Sequence, residues 1–578
     1  MEKIRLFLMI AVAVVYLLAG DAGKGAETYS GHIVDVVGNR IFQGEIRVAN
    51  GKIVSVMEKE NVADRYIAPG LVDAHVHIEC SMLTPSEFAR EAVRHGTVAV
   101  VSDPHEIANV LGMQGVRFMI ENGKKVPLKF CFGAPSCVPA TAFETSGATF
   151  GVEEITELLA LPEIGYLSEM MNYPGVIHDD PEVLQKIAAA KQAGKPIDGH
   201  APGVTGDDLR KYIAAGITTD HESFMLDEAL EKLSLGMKIL IREGSAAKNF
   251  NTLHTLIKTH PDQVMFCADD IDLDDLLKGH INLMVKRALN NGYDLLTVLR
   301  IASYNPVKHY KLPMGLLQVG DAADFIIFDN PEQFEIQAVY INGTKAAERG
   351  ASHIKPVEET PRNVFGASKI SVADIEVPAL ARRIRVIEIV PNELITKQSL
   401  VPANVVDGKA VGDVENDVLK IVKLNRYQPA KPIVAFIRHS GLKSGALASS
   451  VVHDSHNIIG IGVDDVDIVE AVNAVVEAKG GISASRNGVT SVLPLPYAGL
   501  MDHRAASELA RDYERLDAEA RAMGTTLPAP YMTLSFMGLL VIPELKLSDQ
   551  GLFDGGKFEF TDLFVEDENV FGIGVNSR

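Results

Sequence analysis

Between residues 69 and 304, short apolar runs alternate with stretches of helical period, and several of the runs stop at a polar residue. Residues 97–102 (TVAVVS), 164–169 (IGYLSE), 196–200 (PIDGH), 217–221 (ITTDH) and 264–269 (VMFCAD) have the length and composition of buried strands, and residues 67–77 (IAPGLVDAHVH) open the series. Strand and helix alternating on this scale predict parallel βα units with right-handed crossovers, hence an α/β fold built on a (β/α)8 TIM-like barrel over 69–304.

Upstream, residues 32–37, 44–48 and 51–56 read as strands separated by Gly and Asn turns, and residues 315–329 (GLLQVGDAADFIIFD) return to strand character after the barrel. Residues 29–68 together with 305–350 are therefore expected to form a small β-sandwich domain. Residues 351–368, with Pro356, Pro361 and several charges, read as a linker. Residues 369–578 are too long and too apolar to lack a core of their own, and an additional α+β C-terminal domain is expected there. Residues 1–28 stand apart: a basic start is followed by an apolar run over 6–19, the outline of a signal peptide and too short for a comfortable membrane span. A buried or amphipathic helix is the alternative. The rest of the chain has the look of an intracellular enzyme, so a cytoplasmic location is expected.

Composition narrows the partners. The 578 residues are 47% hydrophobic and 23% charged, as in an ordinary globular protein. A net charge of −21 without any basic run repels phosphate backbones, which argues against nucleic acid and for a small neutral molecule. The four cysteines show no CxxC spacing and read as reduced thiols. No membrane partner is expected, and a homo-oligomer is expected on general frequency alone.

The chemistry lies where the runs stop: His75 and His77, then Glu169, His200, His221 and Asp269. Two residues apart on a strand, His75 and His77 project to one side and can chelate one ion. Two ordinary core histidines would need two separate polar partners, whereas one metal satisfies both. Glu169 could be a salt-bridge partner, but its apolar flanks make an unpaired charge costly there. His200 and His221 taken singly are unremarkable histidines, and their weight comes from their place in the series, because a barrel gathers the ends of all its strands at one mouth. The pattern is that of a mononuclear or binuclear metal hydrolase. Oxygen and nitrogen donors without thiolate suit manganese or ferrous iron at least as well as zinc. The His77-Ile-Glu79 triplet mimics the HxE of zinc-dependent cytidine-type deaminases, but no PCxxC follows it.

These strand-end residues with the closing 315–325 segment look like the amidohydrolase superfamily. More narrowly, residues 73–82 (DAHVHIECSM), 103–110 (DPHEIANV), 168–176 (SEMMNYPGV), 198–203 (DGHAPG) and 241–247 (IREGSAA) resemble the bacterial and archaeal adenine deaminases, as do 452–457 (VHDSHN), 493–501 and 550–555 in the tail. The similarity runs over roughly residues 30 to 565. Two departures are Cys80, where a small hydroxyl residue is expected, and the apolar first twenty residues.

The resemblance implies two divalent ions per chain, Mn2+ or Fe2+ with Zn2+ less favoured. His75 and His77 would hold one ion with Asp269, Glu169 would bridge, and His200 and His221 would hold the second. A metal-activated hydroxide would attack C6 of adenine and Asp269 would shuttle its proton, giving hypoxanthine and ammonia as a step of purine salvage. Glu222, Glu79 and His105 are candidates for contact with a ring nitrogen. Asp103, His105 and Glu106 could instead brace the ligand imidazoles. Asp270 is a further candidate near the metals or substrate, and His453, Asp454 and His456 are either such residues or hydrogen-bonded turn residues of a loop. The alternative activity is that of another amidohydrolase, opening a cyclic amide or deaminating a different heterocycle.

Overall fold

The computed structural model describes residues 26–391 and 393–566. The apolar, signal-like run expected near the N-terminus lies outside the described residues. Among those described, no helix is long and apolar enough to cross a membrane.

Eight parallel strands form the centre: Leu71–Val76, Thr97–Ser102, Lys129–Ala134, Ile164–Met170, Ile197–Gly199, Thr219–Asp220, Lys238–Arg242 and Val264–Cys267. The first five and the last three make two parallel sheets. At one seam Thr218 N donates to Ile197 O at 2.9 Å, and at the other Val76 pairs with Asp269. The ring is thereby closed, and helices cover its outside, so that Thr97–Ser102 is buried at every position. The helices start where the sequence offers caps. Asp180, for example, accepts from Glu182 N and Val183 N ahead of Pro181 in helix Pro181–Gln192.

The boundary expected at 304/305 falls inside a continuous helical stretch, Leu295–Leu299, Arg300–Tyr304 and Asn305–Tyr310. Val307 and Tyr310 are buried against the barrel core, so the helical layer runs on to Tyr310 and the smaller domain resumes only after it. That domain is one eight-stranded sheet built from the chain on both sides of the barrel. Strand Tyr66–Pro69 lies at its middle, with Ile67 opposite Ile327 of strand Phe325–Phe328. The sheet encloses its own core of Tyr29, Ile33, Ile46, Phe325 and Tyr340. Residues 353–371 contain no helix or strand, and Gly366 N donates to Arg426 O at 2.7 Å as this stretch crosses the tail.

The tail is organised on a nine-stranded sheet that runs from Thr396–Pro402 and Arg383–Ile389 to Val489–Pro494. Helix Asp465–Ala478 seals one face, its Ile468, Ala471, Val472 and Val475 meeting Val422, Leu424, Ala446 and Ala448. Helix Ala506–Ala522 lies between this sheet and the barrel helices Pro85–Ala92 and Leu273–Lys278. The loop over 450–457 reaches the barrel mouth, where Asn457 Nδ2 donates to Thr145 O at 2.8 Å.

Candidate metal centre

Strand geometry delivers six side chains to one mouth. His75 comes from the first strand and His77 directly follows it, Glu169 comes from the fourth, His200 and His221 directly follow the fifth and sixth, and Asp269 follows the eighth. All six are buried. Asp269 has φ 58°, a left-handed conformation that costs a non-glycine residue about 1–3 kcal/mol. Neighbouring backbone holds it there: Asp269 N donates to His75 O at 2.9 Å and His77 N to Asp269 O at 3.3 Å. The carboxylate is thus fixed to the strand that carries the two histidines. Asp73 anchors the same corner, accepting from Ala268 N at 3.0 Å and lying 2.8 Å from His280 Nε2.

Glu169 sits between two pairs of imidazoles. Its Oε1 lies 3.1 Å from His77 Nε2 and 3.9 Å from His75 Nε2, while its Oε2 lies 2.7 Å from His200 Nδ1 and 3.2 Å from His221 Nε2. Asp269 repeats the division, with Oδ1 3.1 Å from His77 Nε2 and 3.6 Å from His75 Nε2, and Oδ2 3.5 Å from His221 Nε2. Burial opposes the charge on Glu169, yet His200, His221 and His77 hold its carboxyl well below the usual range.

The sequence reading passed over Arg242. It ends the seventh strand, is fully buried, and places its guanidinium 2.6 Å from Asp269 Oδ2 and 3.0 Å from Asp270 Oδ2, with Glu222 also in contact. Its position at a strand end inside the 241–247 motif was the available signal. Burial disfavours ionised Glu222, but Arg242 and His200 outweigh it and bring that carboxyl to about 2. Glu222 lies 3.4 Å from His221 Nε2 and 3.6 Å from His200 Nδ1, and lines a cavity with Pro202, Phe224, Asn249, Leu394 and Ile395. The tail therefore contributes part of the wall beside the centre.

The other expected residues divide. Glu79 accepts from Ile107 N at 3.2 Å, burial pushes its carboxyl up to about 7, and it is not among the residues lining that cavity. Asp103 uses its backbone: its carbonyl oxygen is 3.1 Å from His77 Nδ1, which orients that ring. Asp270 is tied to Arg242 and accepts from Cys80 Sγ at 3.2 Å. His105, Glu106, His453, Asp454 and His456 gather in a second buried cluster, joined to the first where His105 Nδ1 lies 3.6 Å from Glu169 Oε1. The loop over 453–456 is held to the barrel by more than its own turns: His453 and His456 both meet Glu106.

The six residues suit divalent ions. His200 Nε2 and His221 Nε2 are buried without a well-formed hydrogen bond, a cost of about 1–3 kcal/mol for each such atom. Four imidazoles and two carboxylates in contact, with no thiolate among them, form a donor set that suits divalent cations. Among the described residues, ligand atoms of His75, His221 and Asp269 lie within 4.8 Å of one another, and so do those of Glu169, His200 and His221.

Comparison with known proteins gives a consistent result. Residues 66–346 match the amidohydrolase family and residues 393–559 match the adenine deaminase C-terminal domain. The chain is 53% identical over 539 residues to the adenine deaminase of Salinibacter ruber, covering 93% of this chain and 99% of that protein. It is 52% identical over 553 residues to the adenine deaminase of Methanosarcina mazei, covering 93% and 100%. Among solved structures, the β-aspartyl dipeptidase of Fervidobacterium islandicum is similar at 15% identity and a TM-score of 0.43 over 58% of this chain and all of that one.

Proposed function

The chain belongs to the adenine deaminase family of the amidohydrolases, and from that premise we propose that it hydrolyses adenine to hypoxanthine and ammonia, a reaction of purine salvage. The observation that carries the reading from family to chemistry is Glu169, with one oxygen turned to each pair of imidazoles. His75, His77 and Asp269 would hold one divalent ion and His200 and His221 the other, manganese or ferrous iron before zinc. When bound, the pair supplies an acidified water and a positive field beside the substrate.

The protein side chains carry the rest. Asp269 has one oxygen toward His75 and His77 and the other on Arg242, which keeps it ionised and able to accept a proton from the attacking water. The same carboxyl then delivers that proton to the departing amine. Arg242 fixes the orientation of Asp269 and Glu222 together. Glu222, ionised and lining the cavity, is placed to accept a ring N–H of the purine, and Phe224, Leu394 and Ile395 offer apolar surface to its faces.

The test is ammonia release from adenine by protein loaded anaerobically with manganese or ferrous iron, with adenosine, guanine and cytosine run alongside. Turnover of adenine alone is the expected result. Two bound metals with no turnover of adenine would turn the assignment toward a different cyclic substrate.

A further inference from the structure

Glu106 is fully buried, and the imidazoles of His105, His453 and His456 surround its carboxylate. It stands in helix His105–Leu111 after the second barrel strand, facing the tail loop that carries His453, Asp454 and His456. Four ligand atoms of this cluster turn to one point. His453 Nδ1 lies 2.5 Å from Glu106 Oε1, His105 Nε2 lies 3.4 Å from the same oxygen, and Asp454 Oδ1 lies 3.6 Å from each of those ring nitrogens. Ligands held tetrahedrally about 2.1 Å from a first-row ion are about 3.4 Å apart, close to three of these four separations.

The far sides of the rings fix which nitrogens are free. His105 Nδ1 lies 3.0 Å from Asp103 Oδ2, so its N–H is spent on that carboxylate and the Nε2 lone pair faces the cluster. His453 turns Nδ1 to Glu106 and Nε2 toward Asp270 Oδ1, 3.6 Å away, and the ring is stacked on Phe536. His456 is oriented the opposite way. Its Nδ1 accepts from Val452 N at 3.1 Å, so Nε2 carries the hydrogen and faces Glu106 Oε2 as a donor. His456 therefore positions the carboxylate, and the other four residues bring ligand atoms within 4.8 Å of one another, with any proton on His453 Nδ1 given up when an ion binds.

We propose that His105 Nε2, Glu106 Oε1, His453 Nδ1 and Asp454 Oδ1 form a third cation site, distinct from the six-residue centre, that takes one divalent first-row metal ion across the interface between barrel and tail. Two ligands come from each side, so the ion ties the tail to the barrel mouth beside Glu169. The site stands on its own donors and does not depend on which substrate the enzyme uses.

The test is anomalous diffraction at the metal edge from crystals of the full chain grown with manganese or zinc, alongside metal analysis of the protein in solution. The expected result is three ions per chain, one of them bounded by His105, Glu106, His453 and Asp454. The double variant His453→Gln/Asp454→Asn is expected to bind two, both at the six-residue centre. Two ions in the saturated parent, with anomalous density only among His75, His77, Glu169, His200, His221 and Asp269, would overturn the proposal. The parent crystal decides the matter even where the variant fails to fold.

Discussion

Asp220 and His221 are neighbours in the chain, both buried at the end of the sixth barrel strand, and they belong to opposite kinds of polar interior. Asp220 turns to the helical layer and joins a closed network. Its oxygens accept from Ala201 N at 3.0 Å, Ser223 N at 2.9 Å and Lys232 Nζ at 2.9 Å, and Lys232 also donates to Ala201 O at 2.7 Å and Glu228 Oε1 at 2.7 Å. His221 turns to the mouth and joins an open one, in which its own Nε2 and His200 Nε2 lack well-formed hydrogen bonds. The cost of burying charge is met inside the protein in the first network. In the second it is left for a bound group to offset, and that separates a structural polar cluster from one built to hold something.

The sharpest way to break the comparison is to remove one charge from each side. Asp269→Asn keeps the shape of the open site but removes the proton acceptor, so kcat should fall by roughly 10²–10⁴ while the metal content stays near that of the parent. A near-normal rate measured with adenine would remove Asp269 from the proton path. In the closed network, Lys232→Met leaves Asp220 and Glu228 buried without their cation and should destabilise the fold by about 3–5 kcal/mol, read as a lowered denaturant midpoint that added metal does not restore. Recovery of that midpoint by manganese would show that the two networks are not separate.

Glu169→Gln tests the open network from inside. Losing the anionic bridge should lower bound metal at the six-residue centre toward one ion per chain, and metal analysis that still finds both would count against a bridge. Chelation of the parent makes the same point with a smaller effect: thermal stability should drop as the open site loses its ions, while a Lys232→Met protein already lacking its closed network should lose about as much again.

The contrast also marks what the chain made legible. The fold class was readable because the barrel strands are short apolar runs, and those that end in His or Asp announced themselves. The third strand, Lys129–Ala134, and the seventh, Lys238–Arg242, carry none of the six expected ligands and were not singled out, so Arg242 stayed hidden although its motif was in view. The six strand-end residues share no local pattern beyond their position, and the barrel brings them together because all strands finish on one face. The contact of Glu106 with His453 and His456 was out of reach, since local periodicity carries no information about how one domain docks on another. The boundary at Tyr310 was missed because a helical run continuing past the last ligand gives no composition change.

Lys546 sharpens the comparison at its weakest end. It is buried in the tail like Lys232 in the barrel, but its amine meets only two backbone carbonyls, Leu394 O at 2.7 Å and Phe536 O at 3.0 Å, with no carboxylate among its hydrogen-bond partners. Burial alone pushes it down to about 7, whereas Lys232, paired with Asp220 and Glu228, is raised despite its burial. An amine that titrates near 7 when folded and near about 10.4 when unfolded binds fewer protons in the fold between those values. Its contribution to stability therefore improves as pH rises through that window, and its full cost is present below about 7. Lys546→Met removes both the cost and the two hydrogen bonds, so the difference in denaturant midpoint between variant and parent should move against the variant from pH 6.5 to pH 9.5. Urea titrations of the metal-saturated proteins at those two pH values measure it, and a difference that does not change with pH would mean that the buried amine is charged in the fold, held by the two carbonyls as firmly as Lys232 is held by its carboxylates.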